Sequence, residues 1–337
     1  MNIENLVAEL ERQKATNIDL VVDSRTLSAV PDYGGSIKIQ IPDYASFALT
    51  EYAHNQLADK LGIPKKYYDR MLEAGKSELL AQNVNAWLAD KEKRLLRIQD
   101  GIIRAILSDR YKVMDNYDLV FLALEEFKKK ATVRILKATV TETMLYIKAT
   151  DTTLLAEIRM GDNVQGGLII RNSEVGASSF RVEPFILRQI CSNGLIGEYA
   201  LKKVHLGKQT ELGEIDWSDE TRDLEDKLIW TKARDVIKST FDRTIFQSWV
   251  TKLQESTEIP IEKPIRAANN IAKIAFLSEQ QKESLLAYFV EHTKYGLVNA
   301  MTSVARDASN PDEQVRLEEA AGKVLNTEDE EFEKLIG

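Results

Sequence analysis

The chain has 337 residues, of which 44% are hydrophobic and 29% charged, and a formal net charge of −8 at pH 7. This length and composition are typical of a folded protein with one large domain or two smaller ones. The longest apolar runs, such as "VFLAL" and "LIGEYAL", fall far short of the roughly 20 residues that span a bilayer, and the N-terminus is acidic where a secretory signal is basic and apolar. The sequence therefore predicts a cytoplasmic protein without a membrane segment.

Cysteine and histidine usage argues against metal and disulfide chemistry. Cys191 is the one cysteine, which excludes a disulfide within the chain and a thiolate-rich zinc site. His54, His205 and His292 lie far apart without metal-ligand spacing. The sequence has no phosphate-binding loop, dinucleotide fingerprint, zinc-protease helix or nucleophile elbow. Cys191 is either a nucleophile or, as its apolar neighbours favour, a buried thiol. We predict no enzyme and no cofactor.

Charge is unevenly distributed along the chain. Residues 1–59 carry a net charge of −5, residues 60–210 carry +7, and residues 211–337 carry −10. A basic middle with acidic flanks can bind a polyanion locally while the flanks limit nonspecific association. The alternative is that the long helices are simply acidic and the strands are not.

The first 130 residues alternate between helix and strand patterns. Apolar residues at spacings of three and four predict a helix over residues 1–14, and "SIKIQI" alternates as a strand does. Residues 44–72 predict two helices, one ending at Gly62 and the next beginning at Pro64. The Asp100-Gly101 step predicts a hairpin within "RLLRIQDGIIRAILS". A further helix begins near Asn116 and ends in three lysines.

The middle of the chain predicts a sheet. "ATVRILKATV", "MLYIKAT" and "TLLAEIRM" read as strands, followed by a loop "GDNVQGG", by strands "LIIRNS" and "SSFRVE", and by a helix opening near Pro184. From Trp217 the pattern is helical, with helices at 265–276, 278–293 and 295–307 before an acidic tail. The predicted fold is α+β, with a central antiparallel sheet, flanking helices and a helical C-terminal third.

We divide the chain into four regions on this basis. They are an N-terminal helix and strands at residues 1–60, a basic α+β core at 61–210, a helical region at 211–325 and an acidic tail at 326–337. The tail is predicted either to dock on a partner protein and compete with nucleic acid, or to be a solvated end.

Three groups of residues predict a nucleic-acid interface. Long cations neutralise phosphates while short hydroxyls and amides fix register, and aromatic rings beside cations suit single strands. The predicted contacts are Arg171, Ser173, Ser178, Arg181, Arg188 and Asn193 in the densest polar cluster, Lys65 and Lys66 beside Tyr67 and Tyr68, and Tyr146 with Lys148 on one strand face. The alternative reading is internal ion pairing, Arg181 with Glu183 and Arg188 with Glu198, and core packing of the tyrosines.

Four segments resemble a family of phage and plasmid proteins grouped as domain of unknown function 932. They are "LGIPKKYYDRML", "DGIIRAILSDRYKVMDNYDLV", "RNSEVGASSFRVEPFILRQICSNGLI" and "KYGLVNAMTSVARD", which together cover roughly residues 50–310. Many members end the last motif with an acidic-histidine sequence where this chain has residues 303–307, "SVARD". The resemblance implies a phage, prophage or plasmid origin in a bacterial host cell. A likeness to phage single-strand-annealing proteins of the Red-beta and Erf type is an analogy of architecture.

Two functions follow as predictions. The first is a nucleic-acid-binding protein of a mobile element that holds single-stranded DNA in recombination or replication, needs no cofactor, and forms a homo-oligomer through its helical C-terminal third. The second is a protein-interaction or anti-defence protein without nucleic-acid binding, which the net acidity and the long amphipathic helices favour.

Overall fold

A computed structural model describes residues 3–32, 34–88, 92–190, 193–197 and 218–337. Within these ranges the predicted α+β class is confirmed, with two sheets and an all-helical C-terminal region. The strands are β1 (Ile18–Asp23), β2 (Ser28–Pro31), β3 (Ile37–Gln40), β4 (Ser46–Leu49), β5 (Lys93–Gln99), β6 (Ile102–Ser108), β7 (Val133–Val140), β8 (Leu145–Arg159), β9 (Asp162–Asn172), β10 (Arg181–Arg188) and β11 (Asn193–Ile196).

The helices frame both sheets and form the C-terminal region. They are α1 (Ile3–Thr16), α2 (Glu51–Lys60), α3 (Lys65–Glu73), α4 (Ser77–Trp87), α5 (Asn116–Lys128), α6 (Asp219–Thr240), α7 (Arg243–Ser256), α8 (Pro264–Ile274), α9 (Glu279–Tyr288), α10 (Lys294–Arg306), α11 (Pro311–Asn326) and α12 (Asp329–Ile336).

The first sheet is mixed and has the order β1-β5-β6-β4-β3-β2. The predicted hairpin at Asp100-Gly101 joins β5 to β6, and both residues take positive φ angles, as the two central positions of such a turn require. Strands β4 and β6 pair in parallel, and α2, α3 and α4 pack on this sheet over a core that includes Leu57, Tyr68 and Leu80. This unit takes strands from both sides of the predicted boundary at residue 60.

The second sheet is antiparallel, with the order β11-β10-β9-β8-β7. One face packs on α1, α5 and α6 through residues such as Leu145 and Ile147. The same face continues to α7 and α10 through Ile186, whereas the opposite face packs on α11 through residues such as Ile169. Because helices cover both faces, this sheet is buried on both sides.

Two local predictions in the second sheet are wrong. The glycine-rich "GDNVQGG" is the turn and first half of β9, because a Cβ at Gly167 would lie 2.0 Å from the carbonyl oxygen of Ala149 and only glycine lets the strands approach. Pro184 lies inside β10 and does not begin a helix. Its carbonyl accepts a hydrogen bond from the amide of Gly197, and a short apolar run does not distinguish strand from helix.

The C-terminal helices predicted at 265–276, 278–293 and 295–307 correspond to α8, α9 and α10. Helix α11 lies in the helical region predicted at 211–325 but was not predicted as a separate helix, although Asn310 accepts from the amide of Asp312 as its N-cap and Pro311 occupies its first turn. The acidic tail forms α12, whose Phe332 is only 1% exposed and packs in the C-terminal core. The alternative of a wholly solvated end is therefore wrong.

Candidate nucleic-acid interface

Strand register gathers several predicted contacts on one face of the second sheet. Lys137 lies opposite Lys148, Tyr146 lies opposite Arg171, and Arg171 lies opposite Arg181. Residues directly opposite each other in an antiparallel pair point to the same face. The result is a row of cations with one tyrosine across four strands, which we call the cation band.

Helix α11 covers the cation band with carboxylates. The ammonium of Lys148 lies 2.5 and 2.7 Å from the two carboxylate oxygens of Glu318, and both side chains are buried. Burial lowers the pKa of Lys148 and raises the pKa of Glu318, because each charge has lost its water. The pair is therefore internal, and Lys148 is not available to a ligand in this structure.

The two arginines of the cation band are paired in the same way. Arg171 binds Glu183 on β10 and donates to Glu319 of α11 at 3.1 Å. Arg181 lies 3.4 Å from Glu319 and 3.9 Å from Glu183. Tyr146 is buried beneath the helix, and burial raises its pKa. In this structure Arg171 and Arg181 form internal ion pairs and Tyr146 packs in the core, as the alternative to nucleic-acid contacts predicted.

Arg188 is held at the other side of the sheet. Its Nε donates to one carboxylate oxygen of Asp162 at 2.7 Å, and a terminal nitrogen donates to the other oxygen at 2.7 Å. The Tyr295 hydroxyl donates to the same carboxylate at 2.7 Å. The partner predicted from the sequence, Glu198, lies outside the described residues. Asn193 pairs with Arg188 through the backbone of β11, and its side chain is not among those described.

The two predicted serines shape a loop. The buried Ser173 hydroxyl accepts from the amides of Val175 at 3.3 Å and Ala177 at 2.9 Å. The Ser178 hydroxyl donates to the carbonyl of Ser179 at 3.2 Å. These contacts hold the turn between β9 and β10, so the serines stabilise the loop backbone.

The same loop joins the two sheets. Glu174 accepts from the backbone amide of Asn116 at 2.5 Å and binds Arg104 of β6. Arg97 of β5 donates to the Glu174 carbonyl at 3.1 Å and to the carboxylate of Asp115 at 2.6 Å. This buried polar junction was not predicted, because Glu174 is separated from its partners by 58 to 77 positions in the sequence.

Helix α3 keeps part of its predicted site accessible. Lys65 pairs with Asp69, whereas no carboxylate among the described residues lies within ion-pair distance of the exposed Lys66. Tyr67 is also exposed, but Tyr68 is fully buried and its hydroxyl lies 2.7 Å from Nδ1 of His54. Of the two tyrosines, one is therefore core and one is accessible.

A second group of cations lies where α5 ends and β7 begins. The carboxylate of Glu126 is surrounded by Lys129 at 2.6 Å, Arg234 at 3.1 Å and Lys238 at 4.0 Å. Lys130 binds Asp151 at 2.5 Å. The buried carboxylates of Glu126 and Asp151 are thus each paired with cations at the surface.

We define the basic surface as this group together with Lys128 and Arg134, which flank Lys129 and Lys130 in the sequence. Lys128 and Arg134 are exposed, and no described carboxylate lies within ion-pair distance of either. The Arg134 guanidinium donates to the carbonyls of Ala131 and Val133, which places its charge at the loop after α5. The full set has six cations and three carboxylates: Lys128, Lys129, Lys130, Arg134, Arg234 and Lys238 with Glu125, Glu126 and Asp151.

Helix α5, which carries Lys128 of the basic surface, also carries an aromatic pair. The rings of Tyr117 and Phe121 lie 4.6 Å apart, and Phe121 is 37% exposed. Phe121 precedes Lys128 by seven positions, which is two helical turns and places both on the same side of the helix. The α6 cations Arg234 and Lys238 lie about 110 positions after α5 in the sequence, so only the fold brings them to this helix.

A cleft of about 830 Å³ opens between α1, the β5–β6 hairpin and the β7–β8 turn. Its charged lining consists of two arginines and four carboxylates: Arg12, Arg104, Glu9, Asp100, Glu142 and Glu174. Arg12 is itself engaged by Glu9 and Asp100. An excess of negative charge does not favour a polyanion in this cleft.

No metal site or membrane span is found within the described ranges. There, no three His, Cys, Asp or Glu side chains are grouped to hold a metal ion. In the same part of the chain, no helix combines the length and hydrophobicity needed to cross a membrane. Cys191 lies outside the described residues, so its predicted burial stays a prediction.

The fold and its surfaces define an α+β protein with a covered cation band and an exposed basic surface. Comparison of the chain with models of protein families, with curated proteins and with solved structures finds no match. The resemblance to domain of unknown function 932 therefore stays a prediction that rests on the four sequence segments.

Proposed function

We propose that the protein binds nucleic acid at the basic surface, and that its substrate is single-stranded DNA in the recombination or replication of a phage or plasmid. The observation that carries this proposal is a group of four cations paired with three carboxylates, flanked in sequence by Lys128 and Arg134, which no described carboxylate pairs. This set has a net charge of +3 in a chain of net charge −8. Such a local excess attracts a phosphate backbone while the acidic remainder of the protein repels it.

The aromatic side chains of α5 support a preference for single-stranded over double-stranded DNA. Bases of a single strand can stack on exposed aromatic rings while cations neutralise the backbone, whereas the bases of a duplex are already stacked. Phe121 and Tyr117 lie beside the basic surface on the same helix. The cation band does not take part in this proposal, because α11 occupies it.

The test is fluorescence anisotropy with a labelled oligothymidine and with a duplex of equal length, over a range of salt concentrations. The variant Lys128→Gln with Arg134→Gln removes two charges that no described carboxylate neutralises. It should flatten the plot of log affinity against log salt by about 1.4, at about 0.7 per lost contact with a single strand. Phe121→Ala should weaken binding to the single strand and leave binding to the duplex unchanged.

The matched control is Lys263→Gln with Arg266→Gln at α8, which also removes one lysine and one arginine from exposed positions. It should keep the wild-type slope. An equal loss in both double variants would show a nonspecific effect of net charge. If the wild-type protein does not bind at micromolar concentration and low salt, the proposal fails and the predicted protein-interaction function becomes the better one.

A further inference from the structure

Helix α8 ends with a bulky residue in a backbone conformation that normally requires glycine. Phe276 follows the C-cap residue and has a φ of 50°. Its amide donates to the carbonyl of Lys273 at 3.2 Å, and the amide of Leu277 donates to the carbonyl of Ala272 at 2.8 Å. These two bonds define a Schellman motif, whose left-handed position is usually glycine because other residues clash there.

The chain itself provides the comparison. Helices α2 and α3 end with the same pair of hydrogen bonds, and there the left-handed residues are Gly62, with a φ of 65°, and Gly75, with a φ of 62°. At α8 the equivalent residue is Phe276. The left-handed conformation costs a non-glycine residue roughly 1 kcal/mol, and less for Asn or Asp.

Burial of the Phe276 side chain does not offset this conformational cost. The Phe276 side chain is 83% exposed, and the preceding Ile274 is 56% exposed. An exposed apolar ring on a strained backbone has no stabilising role within the monomer, and such strain is typical of positions that serve a function.

The turn that carries Phe276 is held from both sides. Arg316 of α11 binds the carbonyl of Ala275. Ser278 and Gln281 form a capping box at the start of α9, and Gln281 also donates to Glu313 at 2.8 Å. The ring is therefore presented in a fixed position, which lowers the entropy cost of placing it in an interface.

The charges on either side of the ring are self-complementary. Lys273 lies three positions before Phe276 and has no described carboxylate within ion-pair distance. Glu279 lies three positions after Phe276; its side chain is 88% exposed, and the ammonium of Lys282 on the same helix lies 3.5 Å from its carboxylate. A twofold axis at the Phe276 ring would set Lys273 of each copy against Glu279 of the other, which is what an isologous contact requires.

We propose that the turn between α8 and α9 is a contact between two copies of this chain, with Phe276 as its anchor. The ring of each copy packs against that of the other, and two Lys273–Glu279 ion pairs flank them. Because the turn carries charges of both signs, with Glu279 beside Lys282, it offers no cluster of cations for a nucleic-acid backbone. The inference does not depend on the proposed nucleic-acid function.

The experiment is sedimentation equilibrium of the full chain over a range of protein concentrations, with thermal unfolding in parallel. The wild-type protein should show a mass that rises from monomer toward dimer. Phe276→Gly should weaken the dimer by about tenfold or more, as for loss of an anchor residue. The same variant should raise the melting temperature at low concentration, where the protein is monomeric, because it relieves the backbone conformation.

Charge exchange provides an independent test of the geometry. Lys273→Glu and Glu279→Lys should each weaken the dimer, because each variant places like charges together, and the double exchange should restore it. Met160→Ala, which removes another highly exposed apolar side chain from a turn, should change nothing. A wild-type protein that stays monomeric, an undiminished dimer in Phe276→Gly, or a double exchange without recovery would each overturn the proposal.

Discussion

Glu174 caps a helix that it does not belong to. Its carboxylate accepts from the backbone amide of Asn116, the first residue of α5, at 2.5 Å. Asp115, the N-cap residue of that helix, makes no capping hydrogen bond, because its carboxylate binds Arg97 at 2.6 Å. A loop of the second sheet thus satisfies a helix terminus beside the first sheet, and the helix dipole favours the negative charge there.

Replacing Glu174 should therefore weaken the junction between the sheets. Glu174→Gln keeps the size of the side chain but removes the charge that neutralises the largely buried Arg104. Losing one partner of a buried pair leaves the other charge unpaired, so we expect the free energy of unfolding to fall by about 3 kcal/mol. Urea unfolding measures this change. Arg104→Gln in the same background should then cost less than it does alone, and additive losses would contradict the pairing.

Arg171 and Lys128 should respond to the same substitution in opposite ways. Arg171→Gln removes the buried cation that Glu183 and Glu319 share and leaves them only the longer contacts with Arg181, so the free energy of unfolding should fall by about 3 kcal/mol. The salt dependence of DNA binding should stay the same. Lys128→Gln should change stability by less than about 0.5 kcal/mol and flatten the salt dependence by about 0.7. Urea unfolding measures the stability of both variants, and fluorescence anisotropy measures the salt dependence of their DNA binding. A flattened salt dependence in an Arg171→Gln variant of unchanged stability would show that the cation band binds DNA.

His54 should make stability depend on pH below neutrality. Its imidazole lies between the Tyr68 hydroxyl at 2.7 Å and the Ser36 hydroxyl at 3.3 Å, and burial, helped by the charge of Lys65, lowers its pKa to about 4. The unfolded chain binds this proton near pH 6.5 and the folded chain does not. Stability from this group is therefore complete above about pH 6.5 and is lost as the pH falls toward 4.

The measurement is urea unfolding at several pH values between 7 and 4.5. Carboxylates also titrate in this range, so the informative quantity is the difference between the wild-type protein and His54→Gln. The wild-type stability should fall more steeply, by up to about 1.4 kcal/mol per pH unit. Parallel curves for the two proteins would show that His54 does not remain neutral in the folded state.

The acidic tail should contribute to stability through one residue. Phe332 is buried under Lys294, whose ammonium lies 4.7 Å from the ring centroid and donates to the carbonyl of Thr327 at 2.6 Å. Phe332→Ala should lower the free energy of unfolding by about 3 kcal/mol, because it leaves a cavity. Glu330→Gln with Glu331→Gln should change it by less than about 0.5 kcal/mol, since both side chains are exposed. Equal effects of the two variants in thermal or urea unfolding would show that the tail is not anchored through its ring.

The fold class and most helices and strands could be predicted from the sequence, because local signals specify them. The Asp100-Gly101 hairpin, the helix after Asp115 and the helices from α8 to α10 each follow from turn residues, capping residues or an apolar period of 3.6. Errors occurred where a local signal was ambiguous. The glycines of β9 permit close approach of strands as readily as they form a loop.

Which cations are accessible could not be predicted from the sequence, because it depends on tertiary packing. Arg171 and Arg188 were predicted to bind because they lie close together in a polar segment, and Lys148 because it shares a strand face with Tyr146. Each is instead held by a carboxylate from another strand or helix: Arg171 by Glu319, Arg188 by Asp162 and Lys148 by Glu318. The basic surface instead combines residues of α5 with Arg234 and Lys238, about 110 positions further along the chain. Composition fixes how much charge a chain carries, but the desolvation of each charge and its distance from partners depend on packing.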